Sequence, residues 1–314
     1  MAEIAVRPFE DRDLPPVLET MRLALGETAI LKRTSDLFAW KHFLNPFGRS
    51  IILVAESEGV IAGLRAFMRW ELVTPGGETL RCVRAVDTAT HPGFQRRGIF
   101  RKLTLSALDA ARDDNVDLVF NTPNPKSGAG YRSMGWVDVG KIGVMVRPSL
   151  GFLRRTTTPG GVPKPTEFLT DPHPARDLSV VDREARGFRT RRTSRYLKWR
   201  FEQHPTARYF GIEKDRSVAV VRPNVRSGRK ELVLSDVFGP DPSSAIRAAA
   251  AVSGAAYMAG WFSFGSREYW AALRAGLLPV PGVTALTMVG YPLRPLEVQG
   301  LDRWDLALSD LELL

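Results

Sequence analysis

The stretch that decides the fold of this 314-residue chain reads HPGFQRRGIF and covers residues 91–100. The alternating segment before it, residues 82–90, predicts a β-strand. After it, Ile99, Leu103 and Ala107 recur at helical spacing, so a helix begins near residue 98. The first amides of a helix have no acceptor within it, and the helix dipole adds partial positive charge at the same end. The stretch therefore predicts an anion-binding loop.

Side chains of this loop favour phosphate as the anion. Arg96 and Arg97 add full positive charges. Gly98 lets the backbone approach a ligand closely, because it has no Cβ. The alternative interpretation is an ordinary strand-to-helix turn with solvated arginines, and a pattern this short does not separate the two. The secondary structure on either side of the loop is needed to distinguish an anion-binding loop from an ordinary turn.

Those elements predict an α+β domain over residues 1–147. In order they are a strand, two helices, three antiparallel strands, the loop and its helix, a strand, a short helix and a last strand over residues 136–147. Asn124 followed by Pro125 marks the start of the short helix, and Gly135 marks its end. This order gives a mixed, mostly antiparallel central sheet flanked by helices.

Three short motifs then resemble one family. Gln95-x-x-Gly98, between a strand and a helix, resembles the acyl-CoA pyrophosphate loop of the GNAT superfamily of N-acetyltransferases. Residues 121–124 resemble the strand-end Pro-Asn segment of that family. Tyr131, followed by three residues, a glycine and an aromatic residue, resembles a third segment. The motifs stand in the family's order and spacing, so the resemblance extends over residues 1–147.

The resemblance implies an N-acetyltransferase that moves an acetyl group from acetyl-CoA to a primary amine and needs no metal. It implies that the CoA arm lies between two splayed strands, which end near residues 90 and 121. Phe100 departs from the family pattern, which has a small residue there. The cofactor-binding residues implied are Thr88, Ala89, Thr90, Gln95, Arg96, Arg97, Gly98, Ile99, Phe100, Asn121 and Asn124.

Two residues are candidates for proton transfer. The resemblance implies that Tyr131 protonates the departing thiolate, and a phenol is a suitable donor for that step. The alternative is a core tyrosine whose hydroxyl bonds to the backbone. Asp87 lies in a central strand and is our candidate base, acting through a water, although a structural ion pair is the commoner fate of such a residue. Arg84 occupies the position where some family members carry a catalytic carboxylate.

The second half of the chain repeats features of the first. A proline-rich segment, residues 148–178, predicts a linker or crossing segment. Beyond it, residues 196–205 repeat the apolar helix of residues 37–46, with its Trp, following base and final Pro. Strands and helices then recur in the same order, so we expect two tandem GNAT-like units, residues 1–147 and 179–314.

The second unit lacks the phosphate loop. Residues 239–242, Gly-Pro-Asp-Pro, stand in its place, and proline has no amide to donate. We therefore expect a degenerate unit that binds no CoA and instead walls the acceptor pocket of the first. Domain interfaces are common places for such pockets.

Composition limits the setting and the partners. The hydrophobic fraction is 44%, no apolar run is long enough for a membrane span, and the N-terminus lacks a secretory pattern, so we expect a cytoplasmic protein with no membrane partner. One cysteine and four scattered histidines predict neither a disulfide nor a metal site. The net charge of +10 favours acidic partners without choosing among them.

Several alternatives stay open. A basic cluster at residues 183–200 includes Tyr196 and Trp199, but core packing explains Trp199 better than nucleic-acid stacking, so nucleic acid is an unlikely partner. The acceptor is a small-molecule amine or amino sugar, or a protein amine. A non-catalytic acyl-CoA sensor would keep the same fold. A Fem-like aminoacyl transferase also pairs two such units, but that group does not use CoA, and Gln95-x-x-Gly98 argues against it. The oligomeric state is open.

Overall fold

The computed structural model describes residues 3–27, 32–149, 186–252, 255–283 and 286–311. Most of the proline-rich segment predicted as a linker lies outside these residues. The helices are α1 (Leu14–Leu25), α2 (Ser35–His42), α3 (Ile99–Asp113), α4 (Pro125–Ser133), α5 (Ser194–Leu197), α6 (Pro242–Val252), α7 (Arg267–Arg274) and α8 (Leu308–Leu311). None of these helices combines the length and apolarity needed to cross a membrane.

The strands form two sheets. They are β1 (Ala5–Pro8), β2 (Ile51–Ser57), β3 (Val60–Val73), β4 (Thr79–Thr90), β5 (Leu118–Asn121), β6 (Val137–Ile142), β7 (Met145–Pro148), β8 (Arg189–Thr190), β9 (Phe210–Lys214), β10 (Ser217–Arg226), β11 (Arg229–Phe238), β12 (Tyr257–Gly260), β13 (Leu278–Pro279) and β14 (Leu286–Pro292). The first sheet has the order β1-β2-β3-β4-β5-β14-β6, with β8 beside β3, and the second has the order β13-β7-β12-β11-β10-β9.

The fold is α+β, as the sequence predicted. Neighbouring strands pair antiparallel except β4 with β5 and β11 with β12, one parallel pair in each sheet. In the first sheet, α1 packs on β3 and β4, and α3 packs on β2 and β3. The helix α3 buries Ile99, Leu103 and Ala107 on one face, the spacing that predicted it.

One predicted strand is wrong, and its correction changes the architecture. Residues 136–147 do not form one strand, because β6 ends in the first sheet and β7 pairs with β12 in the second. In return, β14 from the second half lies between β5 and β6. The first sheet thus contains β8 and β14 from the second half of the chain, and the second sheet contains β7 from the first half. The boundaries 1–147 and 179–314 stay a prediction, but a chain ending near residue 148 would lack a central strand and expose two edges.

The repeated helices meet in the core. Thr34 caps α2 and Thr193 caps α5, each accepting a hydrogen bond from the backbone three residues on. Trp40 and Trp199 then stack with ring centroids 4.5 Å apart. The indole Nε1 of each donates to the backbone carbonyl of the other, at 2.9 and 2.8 Å. Both side chains are buried, so the sequence interpretation of Trp199 as a core residue is confirmed.

Candidate functional site

A β-bulge in β4 separates it from β5. Asp87 and Thr88 of β4 together oppose Arg65 of β3, and Asp87 takes a φ of 44°. Parallel pairing of β4 with β5 ends at Arg84 and Phe120, although β4 runs on to residue 90. Residues 85–90 therefore have no strand partner on that side among the described residues. This is the gap between splayed strands that the resemblance implied.

The phosphate loop keeps the geometry expected of it. Gly98 has a φ of 74° and precedes α3, in which the amide of Lys102 donates to the Gly98 carbonyl at 3.0 Å. The preceding amides of that turn have no acceptor within the helix. Arg96 and Arg97 are exposed beside them. A Cβ on residue 98 would meet no atom within 4 Å, so glycine is needed for its left-handed backbone and not for lack of space.

The one departure from the family pattern has a structural partner. The Phe100 ring lies edge-on to Tyr131, with centroids 5.3 Å apart. A Cβ on Gly130 would come within 2.9 Å of that ring, so this glycine of α4 makes the room that Phe100 occupies. Phe100 also contributes to the wall of a cavity. Its side chain therefore shapes the space around Tyr131.

Tyr131 is held by a side chain and not by the backbone. Its hydroxyl accepts a hydrogen bond from Nη1 of the buried Arg65, at 2.7 Å. The same nitrogen also donates to Oγ1 of Thr88. Arg65 occupies a lone pair of the phenol oxygen, so the phenol hydrogen stays available to another acceptor. Tyr131 is 3% exposed and lines the cavity, an arrangement that suits a proton donor.

The geometry does not suit Asp87 as a base. Its carboxylate lies 3.2 Å from Arg33 Nη1, 3.0 Å from Lys41 Nζ and 3.1 Å from His42 Nε2. Burial by itself raises the pKa of Asp87, but these neighbours outweigh it and hold that pKa well below its usual value. A carboxylate held ionised in this way has little tendency to take a proton. Asp87 is therefore better described as the anchor of an ion cluster.

The remaining predicted binding residues differ in which of their groups are available to a ligand. Asn121 is buried at the end of β5, and its Oδ1 has no hydrogen-bond partner among the described residues. Asn124 uses its Oδ1 to cap α4, accepting from the Ser127 amide at 3.0 Å. The side chains of Ala89 and Ile99 are packed in the core, which leaves only their backbone for a ligand. Thr90 and Thr88 border the cavity.

The cavity has a volume of about 1040 Å³ and lies between the two sheets. Its first-half residues include Asp87, Thr88, Thr90, Phe100, Asn121, Asn124 and Tyr131. The second half supplies Arg226, Glu231, Val233, Tyr257, Trp261, Leu308 and Leu311. No motif in the sequence indicated these second-half residues, because the internal repeat predicts the elements of the second unit but not which strands face each other.

The loop of the second half has its amides engaged within the chain. The amide of Asp241 donates to Ser217 Oγ at 2.7 Å, and the amide of Ser244 donates to the Asp241 carboxylate at 3.2 Å. A Cβ on Gly239 would lie 2.4 Å from the Arg216 carbonyl oxygen. These contacts fill the place that the pyrophosphate loop has in the first half.

Much of the predicted basic cluster is internal. Arg189, Arg192 and Arg200 are all buried. Arg189 pairs with Glu268 at 2.9 Å, and Arg192 pairs with Asp236 at 2.9 Å. The described residues contain no group of three or more His, Cys, Asp or Glu that could hold a metal ion.

A known domain family matches the part of the chain that contains this site. The acetyltransferase (GNAT) domain family matches residues 5–138, which include the bulge, the loop and Tyr131. This part of the chain is therefore a GNAT acetyltransferase domain, which confirms the family predicted for the first half of the chain. No protein with a curated description matches the chain by sequence.

Solved structures share the fold over nearly the whole chain. A GCN5-related N-acetyltransferase from Kribbella flavida has a TM-score of 0.64 and 13% identity, over 93% of this chain and 71% of that one. Another from Anabaena variabilis has a TM-score of 0.64 and 12% identity, over 93% and 73%. Eis1 from Mycobacterium abscessus has a TM-score of 0.56 and 14% identity, over 91% and 73%. At these identities the likeness concerns the fold.

Proposed function

We propose that the protein transfers an acetyl group from acetyl-CoA to the amine of a small acceptor. The observation that carries this proposal is the phenol of Tyr131, fixed by Arg65 against the β4 bulge and bordering a large cavity. The GNAT fold already supports acyl transfer in general. The donor and the acceptor are the finer part of the proposal.

The residues fit the proposed donor. Acetyl-CoA supplies the acetyl group as a thioester. The amides before Lys102 would bind its pyrophosphate, with Arg96 and Arg97 adding charge. The backbone groups of residues 88–90 on the side facing away from β3 would bind its arm and the thioester carbonyl, where donors stabilise developing negative charge.

Tyr131 would complete the transfer as general acid. The amine nitrogen forms a bond to the carbonyl carbon while the carbon–sulfur bond breaks. The departing sulfur takes the phenol proton, and the amine gives up a proton to water. The Arg65 hydrogen bond would stabilise the phenolate left behind, because it already points at that oxygen. Asp87 has no part in these steps.

Both halves of the chain would form the acceptor site. The wall opposite Tyr131 comes from the second sheet and from the last helix. The second half would bind no CoA of its own, since the amides of its loop are engaged by Ser217 and Asp241. The alternatives of an acyl-CoA sensor and of a Fem-like transferase have no observation in their favour.

A panel of amines tests the proposal. The full chain is mixed with acetyl-CoA and amino sugars, polyamines, amino acids or peptides. Free thiol is followed by colour, and acetylated product is followed by mass spectrometry. We expect thiol release that requires an amine and matches the acetylated product. Tight acetyl-CoA binding without transfer to any amine would favour a sensor, and absence of acetyl-CoA binding would refute both.

A further inference from the structure

One buried arginine of the cavity wall has no acidic partner among the described residues. Arg84 of β4 is 2% exposed. Its Nη2 donates to the Leu311 carbonyl at 2.9 Å, but its Nε and Nη1 are buried and have no hydrogen-bond partner among the described residues. No carboxylate of those residues lies within ion-pair distance of it, and burial lowers the pKa of Arg84 to about 10. Such a residue costs folding free energy, and perturbed charges of this kind are concentrated at functional sites.

The surroundings of Arg84 are aromatic and apolar. Its guanidinium carbon lies 5.2 Å from the centre of the Trp70 ring and 5.6 Å from that of Phe120. Leu308 and Leu311 border the cavity beside it. In such a setting a carboxylate that reached the guanidinium would be strongly bound, because water screens the pair poorly.

The other charges of the cavity do not favour a cationic guest. Arg33 and Lys41 share the one carboxylate of Asp87, and Arg226 pairs with Glu231 at 3.1 Å. Together with Arg84, the described wall has four cations and two carboxylates. A polyamine or an aminoglycoside would bring further positive charge into this space, so the wall discriminates against both.

We infer that the acceptor is an amine that also carries a carboxylate, and that Arg84 binds that carboxylate. The inference rests on the proposed function, and it adds the class of acceptor. The amine would lie near Tyr131 and the carboxylate at the opposite end of an apolar body. Val233, Trp261 and Leu308 offer the apolar wall between.

The position of Arg84 along the strand gives a rough length. Thr88, which shares the Arg65 nitrogen with Tyr131, is four residues further along β4. Because the bulge adds one residue to β4, these positions lie opposite Met68 and Arg65 of β3, which are three residues apart. At about 3.3 Å per residue this is roughly 10 Å along the strand. An amine and a carboxylate on the same carbon would span too little of this distance. We therefore expect acceptors in which several carbons separate the two groups.

A series of straight-chain amino acids of increasing length tests the distance between the amine and the carboxylate in the site. The wild-type chain is assayed with glycine, 4-aminobutyrate, 6-aminohexanoate and 8-aminooctanoate, each beside its carboxamide, and with spermidine. We expect the longer acids to exceed their carboxamides in kcat/KM by about 10- to 100-fold, the range of a charge-assisted pair. Equal use of the acids and the carboxamides, or a preference for spermidine, would overturn the inference and leave the transferase intact.

Substitutions of Arg84 test whether this residue causes the preference for acids over carboxamides. Arg84→Met keeps the volume without the charge and should reduce the acid-to-carboxamide ratio to about one, while Arg84→Lys should retain part of it. Arg247→Met removes an exposed arginine of α6 outside the cavity and should leave the ratio unchanged. A purely structural Arg84 would lower turnover of both substrates equally, which overturns the inference.

A binding measurement separates this inference from the proposed function. The N-acetylated form of 6-aminohexanoate is titrated calorimetrically into the wild-type chain and into Arg84→Met, with CoA present. Binding that Arg84→Met weakens supports the acceptor class even if no amine is acetylated. Binding that Arg84→Met leaves unchanged overturns it, whatever the catalytic result.

Discussion

Two buried aspartates occupy matching places in the two halves and have opposite surroundings. Asp87 lies in β4 beside a bulge, and Arg33, which precedes the α2 cap, pairs with it at 3.2 Å. Asp236 lies in β11 beside another bulge, and Arg192, which precedes the α5 cap, pairs with it at 2.9 Å. The repeat therefore includes an internal ion pair as well as the stacked tryptophans.

The net charge of the two buried clusters differs in sign. Asp87 faces two cations, Arg33 and Lys41, and its pKa is lowered. Asp236 shares Arg192 with a second carboxylate, Asp310 of α8, which lies 3.3 Å from the same nitrogen. Burial and Asp310 together raise the pKa of Asp236 to about 6, against the opposing effect of Arg192.

The two clusters also differ in their access to the cavity. Arg33, Lys41 and Asp87 border the cavity, whereas Asp236 and Asp310 are sealed inside by the last helix. The first half thus keeps an open cluster with excess positive charge, and the second has a closed cluster with excess negative charge. The two halves therefore share the placement of an ion pair but differ in its net charge and in its access to the cavity.

The largest expected effect concerns Tyr131, the proposed general acid, because the matching position of the second half is an alanine. Tyr131 precedes the left-handed Gly135 by four residues, and in the second half Ala272 precedes the left-handed Gly276 by four. Tyr131→Phe should lower kcat by about 10²–10⁴ while the acetyl-CoA dissociation constant stays the same. Tyr257→Phe, which removes another hydroxyl of the cavity, is the control. An unaltered kcat in Tyr131→Phe would return this residue to a packing role.

The phosphate loop is the next contrast. Gly98→Asp forces a left-handed conformation on a residue with Cβ and adds a negative charge, so acetyl-CoA affinity measured by calorimetry should fall roughly 100-fold. Asp241→Asn in the second half should leave affinity unchanged at one acetyl-CoA per chain. Two molecules bound per wild-type chain would break the comparison.

The contributions of Asp236 and Asp87 to folding stability should change with pH in opposite directions. The folded-state pKa of Asp236 is raised, so its contribution to stability is present below its unfolded value of 3.8 and is lost as pH rises through about 6. Asp310→Asn removes the repelling charge, which is one cause of the raised pKa beside burial. The variant should therefore recover part of this unfolding free energy near pH 8, with little gain below pH 3.8.

Asp87 is the matched case for that measurement. Its pKa is lowered, so its contribution to stability is present above 3.8 and is lost as pH falls below that value. Asp87→Asn should therefore cost stability near pH 8, and the cost should shrink only in acid. Urea unfolding across pH follows both variants. The same pH trend in both would show that the two clusters are electrostatically alike.

The smallest effect is expected where the halves agree. Trp40→Phe and Trp199→Phe each remove one indole donor from the partner's carbonyl, at a cost of about 1–2 kcal/mol. The two losses, measured by chemical unfolding, should be nearly equal because the contacts are reciprocal. A cost several times larger on one side would show that the pair is not symmetric in energy.

Most elements of the fold were predictable from local sequence signals. The strand before residue 91, the helix after Gly98, the cap at Asn124 and the glycine at 135 are all present where their patterns predicted them. These signals depend on residues within one or two turns of each other. The resemblance supplied Tyr131, and the structure gives it Arg65 as a partner, which no spacing in the sequence indicated.

Tertiary structure decided the rest. Three features depend on residues that are far apart in the chain. They are the exchange of β7 and β14 between the sheets, the cations around Asp87 and the surroundings of Arg84. Hydrophobic periodicity tells which face of a strand is buried, but it does not tell which strand lies beside it or which side chains meet across the interface. The sequence therefore determined the elements and the phosphate loop, whereas only the packing of the two halves determined the cavity and its charge.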